Sequence, residues 1–294
     1  MPDNTPRKTG GGGGGRGPLP RPVQVSKKLS KLLRHDAEKE GLKLDSAGFV
    51  NVQDILDNRT LKSLKVSFDE VLAIVEENDK QRFAMVPLDA GGEAGEGEDA
   101  GKEQKKLKAR DYKIRANQGH SLKVEADGGL LTPIVDEADV PATAVHGTTH
   151  ANWMLIVASG GLKPMGRNHV HFATGLPAGF TSVGDAEAAN VEVAAPVISG
   201  MRKSSTVLVW LDVRRAMAAG LKFGRSENGV VLTEGNAEGL VPLELFKRVE
   251  DRKGLGVLVE DGKVVKEAPA SWAAEGGPGR PRGFGKGRGH NTLK

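Results

Sequence analysis

Val145-His146-Gly147-Thr148-Thr149-His150-Ala151-Asn152-Trp153-Met154-Leu155-Ile156-Val157-Ala158-Ser159-Gly160-Gly161, followed by Asn168-His169-Val170-His171-Phe172-Ala173, sets the architecture of the larger part of the chain. Trp153, Leu155, Ile156 and Val157 predict a helix over His150–Gly160, stopped by the glycine pair, and His169–Ala173 follows as a strand. Downstream, Thr206–Val213 reads as a strongly apolar strand, Val213–Ala219 as a short helix and Val230–Thr233 as another strand, entered through the turn sequence Ser226-Glu227-Asn228-Gly229. Strands and short helices interleaved in this way predict an α+β lobe over residues 126–255.

Upstream the pattern changes. Val25, Leu29, Leu32 and Leu33 recur at helical spacing, with Ser26 as the expected N-cap and Gly41 as the stop beyond the polar turn His35–Glu40. Arg34-His35 falls near the C-terminal end of that helix. Gly48-Phe49-Val50 reads as a short strand, and Val52–Leu56 and Phe68–Val75 as helices, the second capped by Ser67. Gln81–Leu88 and Tyr112–Ala116 read as paired strands. Helices followed by a two-stranded hairpin predict a winged-helix lobe over residues 23–125, with Leu122–Ala144 leading into the second lobe. An acidic insertion over residues 89–109 falls at the tip of the wing, where added length costs little.

A chain of 294 residues suits two modest domains with tails. The absence of cysteine excludes disulfides and thiolate metal sites, and fits an intracellular, reducing setting in the cytoplasm or nucleus. Residues 1–22 are rich in Gly, Arg and Pro rather than carrying an apolar signal core, and no apolar run approaches the ~20 residues that span a bilayer. The formal net charge of +4 is unevenly spread. Arg7, Lys8, Arg16 and Arg21 against Asp3 give residues 1–22 a charge of +3, and Arg280, Arg282, Lys286, Arg288 and Lys294 against Glu267 and Glu275 give residues 267–294 another +3. The glycine run Gly10–Gly15, the acidic stretch Asp89–Gly101 and the RGG-like tract Gly276–His290 lack the apolar residues that offset chain entropy, so all three are expected to have no fixed structure. Basic arms point to an anionic partner, foremost nucleic acid, and the protein is expected to be a monomer.

Residues 120–171 hold five of the seven histidines, in polar, glycine-punctuated sequence that begins beside Arg115. An unperturbed imidazole titrates at roughly 6.5 and can pass a proton near neutrality, while a guanidinium stays charged and grips phosphate with a planar fork. The combination predicts a phosphate-handling site. Gly160-Gly161 with Gly166 is not a dinucleotide fingerprint, because it follows a helix instead of joining a strand to one. His146 and His150 are four apart and His169 and His171 share one strand on opposite faces, with no acidic partner in a ligand pattern, so no metal site is expected.

Five segments in order, SKKLSKLLRH at 26–35, IRANQGHS at 114–121, VHGTTHANWMLIVASGGLKPMGRNHVHFA at 145–173, GMR at 200–202 and FGRSENGVVLTEG at 223–235, resemble the RNA 2′-phosphotransferases, the NAD-dependent enzymes of tRNA splicing. The resemblance runs from Ser26 to Arg248, interrupted by the insertion. It implies a winged-helix lobe joined to an ADP-ribosyltransferase-like lobe, with RNA bound between them. It also implies the chemistry: the 2′-phosphate of a ligated tRNA, or of another RNA with an internal 2′-phosphate, displaces nicotinamide from NAD+ to give RNA-2′-phospho-ADP-ribose. The ribose 2″-hydroxyl then attacks phosphorus, releasing 2′-OH RNA and ADP-ribose 1″,2″-cyclic phosphate, with no metal.

The resemblance assigns the family's essential Arg-His-Arg-Arg group to Arg34, His35, Arg115 and Arg202. Arginines suit a phosphate clamp, since several oxygens accept bidentate bonds, and His35 would either donate to the phosphate or shuttle a proton. Gln118, His120 and Ser121 are expected beside the phosphate. NAD+ falls to His146, Gly147, Thr148, Gly160, Arg167, His171, Asn228 and Val230. Among these, His146 would contact a ribose, Gly147 would let the backbone approach the carboxamide, and His171 would stack on nicotinamide while His169 points the other way. Val230 or Val231 stands where protein-modifying transferases carry a glutamate, and a neutral residue suits an acceptor that is already nucleophilic. Glu227 and Glu234 lie near in sequence, and either one reaching the site would favour a hydroxyl or side-chain acceptor. Two other readings stand beside this one: a transferase that ADP-ribosylates nucleic-acid ends or protein and stops there, and an RNA-binding protein built on a transferase that has lost catalysis.

Overall fold

The computed structural model describes residues 18–77, 80–88, 108–122, 129–183 and 201–275. The expectations for the glycine run Gly10–Gly15, the insertion at 89–107 and the tract at 276–294 lie outside the described residues. Within them the chain is an α+β protein with two main apolar cores.

Helix α1 (Arg21–Lys31) starts ahead of the expected cap, with Pro22 in the first turn, where a missing N–H leaves nothing unsatisfied. Ser26 is therefore an interior residue of α1 and not its N-cap. Val25 and Leu29 face the core, and Arg21 pairs with Glu70 at 2.7 Å. The helix passes into one π-type turn, Leu32–Asp36, then a 3-10 turn, Glu38–Glu40, and stops at Gly41 in the left-handed conformation that the sequence predicts (φ 75°). Strand β1 (Val50–Asn51) leads into α2 (Val52–Asp57), α3 (Arg59–Lys62) and α4 (Phe68–Glu76). Asn51 and Asn58 cap α2 and α3, and Ser67 with Glu70 forms a reciprocal capping box on α4.

Strands β2 (Phe83–Pro87) and β3 (Tyr112–Ala116) pair antiparallel with Phe83 opposite Ala116, and β1 joins the other edge of β3. Ile114 and Ala116 are fully buried against Leu29, Leu33, Ile55 and Leu61 in the first core. Alternation along β3 then turns Arg115 to the opposite face, where its guanidinium lies 4.6 Å from the Phe49 ring.

The second core is built on β4 (Leu131–Ile134), β5 (Val145–Thr148), α5 (His150–Ala158), β6 (Gly161–Leu162), β7 (Val170–Phe172), β8 (Val207–Leu211), α6 (Val213–Ala218), β9 (Phe223–Ser226), β10 (Val231–Thr233), β11 (Val241–Pro242), β12 (Phe246–Asp251), β13 (Gly256–Glu260) and β14 (Lys263–Val264). One sheet has the order β14-β13-β12-β8-β5, another β4-β9-β10-β7, and β11 pairs with β6. β8 reads as continuously apolar because both its faces are covered: Val207, Val209 and Leu211 enter the second core, while Leu208 and Trp210 meet Val145, Met201 and Phe180 on the other side. Gly161 is a glycine for space, since a Cβ there would sit 2.1 Å from the Val241 carbonyl oxygen. The core continues past residue 255, because the 3-10 turn Ala270–Ala274 buries Trp272 against it. A bridge between Val145 and Ala173 brings β5, at the edge of one sheet, to β7, at the edge of the other. No helix among the described residues is long and apolar enough to cross a membrane.

Candidate active site

A cleft of about 200 Å³ opens where those two sheet edges meet the first core. Arg34, Lys80, Arg82 and Gln118 line it from the first core, and His146, Gly147, Arg167, His171, Met201 and Val230 from the second. Among the described residues that line it, four are cations and none is acidic. Cations gathered on facing walls attract an anion into the space between them.

Arg34 is placed by the π-type turn, whose Leu32 and Leu33 are locked in the first core. Gly119 turns the neighbouring loop with φ 89°, a conformation that favours glycine, and its Cα faces Arg34, where an added Cβ would make an ordinary contact 3.5 Å from Nε. Ser121 N donates to the Arg34 carbonyl at 3.0 Å, and His35 Nδ1 meets Ser121 Oγ at 2.9 Å, fixing the 119–121 loop to the turn. Burial, then Arg167 and Arg82, pull the Arg34 guanidinium down to about 10, which leaves it charged at neutral pH. Burial and then Arg202 likewise lower Arg167. Arg82 and Arg167 thus both lie close enough to Arg34 to act on its charge.

On the opposite wall, His146 Nδ1 lies 3.0 Å from the His171 carbonyl, which can only accept, so Nδ1 carries a proton. Burial holds His146 below its ordinary range, so the ring is neutral and Nε2 is left as an acceptor. Burial, then Arg167, drives His171 down to about 3, and its buried Nε2 has no partner. A Cβ on Gly147 would lie 2.2 Å from Met201 Cγ and 2.9 Å from Ser205 Oγ, so this position tolerates only glycine while Met201 rests on it.

Several expected residues lie elsewhere. Arg115 does not line the cleft: it donates to the Ala47 and Gly129 carbonyls, each at 3.1 Å, and to Glu227 at 3.3 Å, on the face of β3 turned toward Phe49. Arg202 is exposed beyond Met201 and reaches the cleft only through its field on Arg167. Thr148 is buried in the sheet, its carbonyl accepting from Thr206 N at 2.8 Å. Gly160 ends α5, and its carbonyl accepts from Leu243 N. Asn228 is buried in the β9–β10 turn, accepting from Ser226 Oγ and donating to the Lys80 carbonyl. His120 sits behind Arg34, buried, with Nε2 unpartnered. His169 meets Glu234 at 3.7 Å instead of the cleft, so neither Glu227 nor Glu234 lines it. Among the described residues no cluster of three or more potential ligands could hold a metal ion.

A family model described as RNA 2′-phosphotransferase, Tpt1 / KptA family, matches residues 20–235. The chain is 39% identical over 249 residues to tRNA 2′-phosphotransferase 1 of Danio rerio, covering 85% of this chain and 94% of that protein. It is 36% identical over 231 residues to tRNA 2′-phosphotransferase of Saccharomyces cerevisiae, with 78% and 84% covered, and 36% identical over 271 residues to tRNA 2′-phosphotransferase 1 of Homo sapiens, with 90% and 92% covered. This chain belongs to the RNA 2′-phosphotransferase family. It is an enzyme of that family.

Two cations of the cleft are not among the residues expected from the sequence. Arg82 and Lys80 precede β2 and look like ordinary surface cations, while Arg167, expected beside the dinucleotide, lines the same cleft. Pairing the two expected strands in register would have found Arg82, because its neighbour Phe83 lies opposite Ala116 and its carbonyl accepts from Asn117 N at 2.9 Å, beside Gln118.

The buried histidines carry a pH signature. Burial, then Arg34, lowers His120 to about 4, and His171 is at about 3. With folded values below the unfolded one, the unfolded chain binds more protons in between, so this stability is complete above about pH 6.5 and is lost as pH falls toward about 4. The urea midpoint is expected to be level from about pH 8 to 7 and to drop between about pH 6.5 and 4.5, less steeply in His120→Gln. A wild-type midpoint unchanged across the acid window would contradict the neutral-histidine assignment.

Proposed function

We propose that the protein removes the internal 2′-phosphate of ligated tRNA by transferring it to NAD+, with a winged-helix first lobe and an ADP-ribosyltransferase-like second lobe holding RNA and NAD+ in the cleft between them. The observation that carries this reading is the cleft itself: Arg34, Lys80 and Arg82 from the first core meet Arg167, His146, Gly147 and His171 from the second, with no carboxylate among the described lining residues.

The second wall fits a dinucleotide. Neutral His146 offers Nε2 to a ribose hydroxyl, the missing Cβ at Gly147 permits close approach once Met201 moves aside, and the orphaned His171 Nε2 supplies a buried polar partner. NAD+ supplies the ribosyl carbon that accepts the phosphate, with nicotinamide as the leaving group. The chain's own residues hold and orient. Arg34, Arg82 and Arg167 bind the phosphate dianion with fork geometry and offset the charge that grows on its oxygens, an effect worth several kcal/mol when donors are fixed in advance. His35, tied to Ser121, steadies the loop carrying Gln118. A phosphate monoester needs no base to become nucleophilic. Val230 in the lining, with Glu227 bound to Arg115 and Glu234 beside His169, supports a phosphate acceptor over a hydroxyl one.

The test is incubation of the purified protein with a 2′-phosphorylated oligoribonucleotide, with and without NAD+. NAD-dependent loss of the phosphate together with ADP-ribose 1″,2″-cyclic phosphate is expected. A persistent ADP-ribosylated RNA would instead identify an enzyme that stops after one transfer, and no NAD+ binding would identify an RNA-binding protein without catalysis.

A further inference from the structure

Gln81 has a left-handed backbone, φ 40°, with a side chain that gains nothing from burial. Such a conformation is unfavourable for any residue with a Cβ and persists only where its surroundings impose it. Here three consecutive carbonyls are held. Asn228 Nδ2 donates to Lys80 O at 3.1 Å, Asn117 Nδ2 to Gln81 O at 2.8 Å, and Asn117 N to Arg82 O at 2.9 Å. Both asparagines are buried, with 3% and 4% of their surface exposed. They come from different cores: Asn117 follows β3, and Asn228 lies in the β9–β10 turn, oriented by Ser226 Oγ at 2.7 Å. Lys80 and Arg82, on either side of the bend, both line the cleft.

We propose that Asn117 and Asn228 are positioning residues for phosphate transfer: by donating to the Lys80 and Gln81 carbonyls from two cores, they hold the left-handed bend that delivers Lys80 and Arg82 into the cleft. The proposal rests on the reading that Arg82 faces the phosphate. It makes docking of the second core part of the assembly of the cation cluster, because the Lys80 contact exists only with the β9–β10 turn in place. The same turn carries Glu227, whose pairing with Arg115 gives it a second grip on the first core.

Asn117→Ala and Asn228→Ala are expected to lower kcat about tenfold to a hundredfold, with the KM for NAD+ within about twofold, because a misplaced cation affects the reacting phosphate and not dinucleotide binding. The decisive variant is Gln81→Gly. Glycine adopts positive φ without a Cβ penalty, so it reduces the need for the clamp. Gln81→Gly alone should keep kcat within about twofold, and Gln81→Gly with Asn117→Ala should recover at least about threefold of the kcat lost in Asn117→Ala. A role in folding alone predicts the reverse, since added glycine loosens the chain further. If Asn117→Ala does not fold, Asn117→Asp, of the same shape but without the donor, takes its place in the series. Wild-type kcat in both asparagine variants, or no recovery in the double variant, overturns the proposal while leaving Arg82→Ala inactive. Wild-type kcat in Arg82→Ala removes the reading beneath it instead.

Discussion

Arg82→Ala and Arg167→Ala are each expected to slow 2′-phosphate transfer by about 10²–10³-fold at saturating NAD+, while Arg115→Ala and Arg202→Ala stay within about tenfold per folded molecule. The difference follows from where the guanidinium groups are. Arg82 and Arg167 line the cleft beside Arg34, and both lower the affinity of Arg34 for its proton. Arg115, itself buried, is committed to two carbonyls, Glu227 and the Phe49 ring, so its loss removes three partly buried hydrogen bonds and a ring contact and weakens the fold more than the reaction. Arg82→Lys should fall between wild type and alanine, since an ammonium keeps the charge but not the planar fork. Single-turnover rates with a short 2′-phosphorylated oligonucleotide, compared with far-UV circular dichroism of each variant, separate the two cases. Full activity in Arg82→Ala beside an inactive but folded Arg115→Ala would move the clamp to the other face of β3.

His150→Ala is expected to cost about 3–5 kcal/mol of stability and to lower Tm by roughly 6–15 °C, with little change in transfer rate at 25 °C. His150 belongs to the histidine-rich stretch but takes no part in the cleft. Its Nε2 lies 2.7 Å from Asp251, whose surface is 1% exposed, its Nδ1 lies 2.6 Å from Glu275, and its ring stacks on Trp272 with centroids 3.7 Å apart. Removing the imidazole leaves the Asp251 carboxylate buried without its charge-assisted partner, with the Leu255 N–H still donating to it, and unpins the turn Ala270–Ala274 from α5. A thermal scan followed by far-UV circular dichroism checks this. A melting point within a degree of wild type would show that the carboxylates and the stack contribute nothing net.

Much of the fold was legible because local chemistry and tertiary demand agree. The Ser67–Glu70 capping box, Gly41 as a left-handed stop and the apolar run at 207–211 each have one reading at both levels. Ser26 misled because it is a good cap, yet Pro22 can open the helix earlier and Val25 must already be helical to reach the core. The hairpin of β12 and β13 was missed because Arg248, Glu250 and Asp251 interrupt its apolar pattern. The structure buries Glu250 completely by giving it Ser182 Oγ, Val183 N and Arg248 as partners. The resemblance points to His146, Gly147, His171 and Val230, and all four line the cleft. The places of Arg115 and Arg82 were not legible, because alternation states which strand residues share a face but not what covers that face. The Lys80–Arg82 bend depends on asparagines far away in sequence, which no local pattern records.

The most direct test of one shared cleft is binding of a 2′-phosphorylated oligonucleotide in the presence of a non-reactive NAD+ analogue, measured by calorimetry on the wild type and on Arg82→Ala, Arg167→Ala and His146→Ala. Both ligands are expected to bind together, with RNA affinity lost in the arginine variants and analogue affinity lost in His146→Ala. Mutually exclusive binding, or RNA affinity that depends on the 2′-phosphate yet is untouched by loss of Arg82 and Arg167, would contradict it.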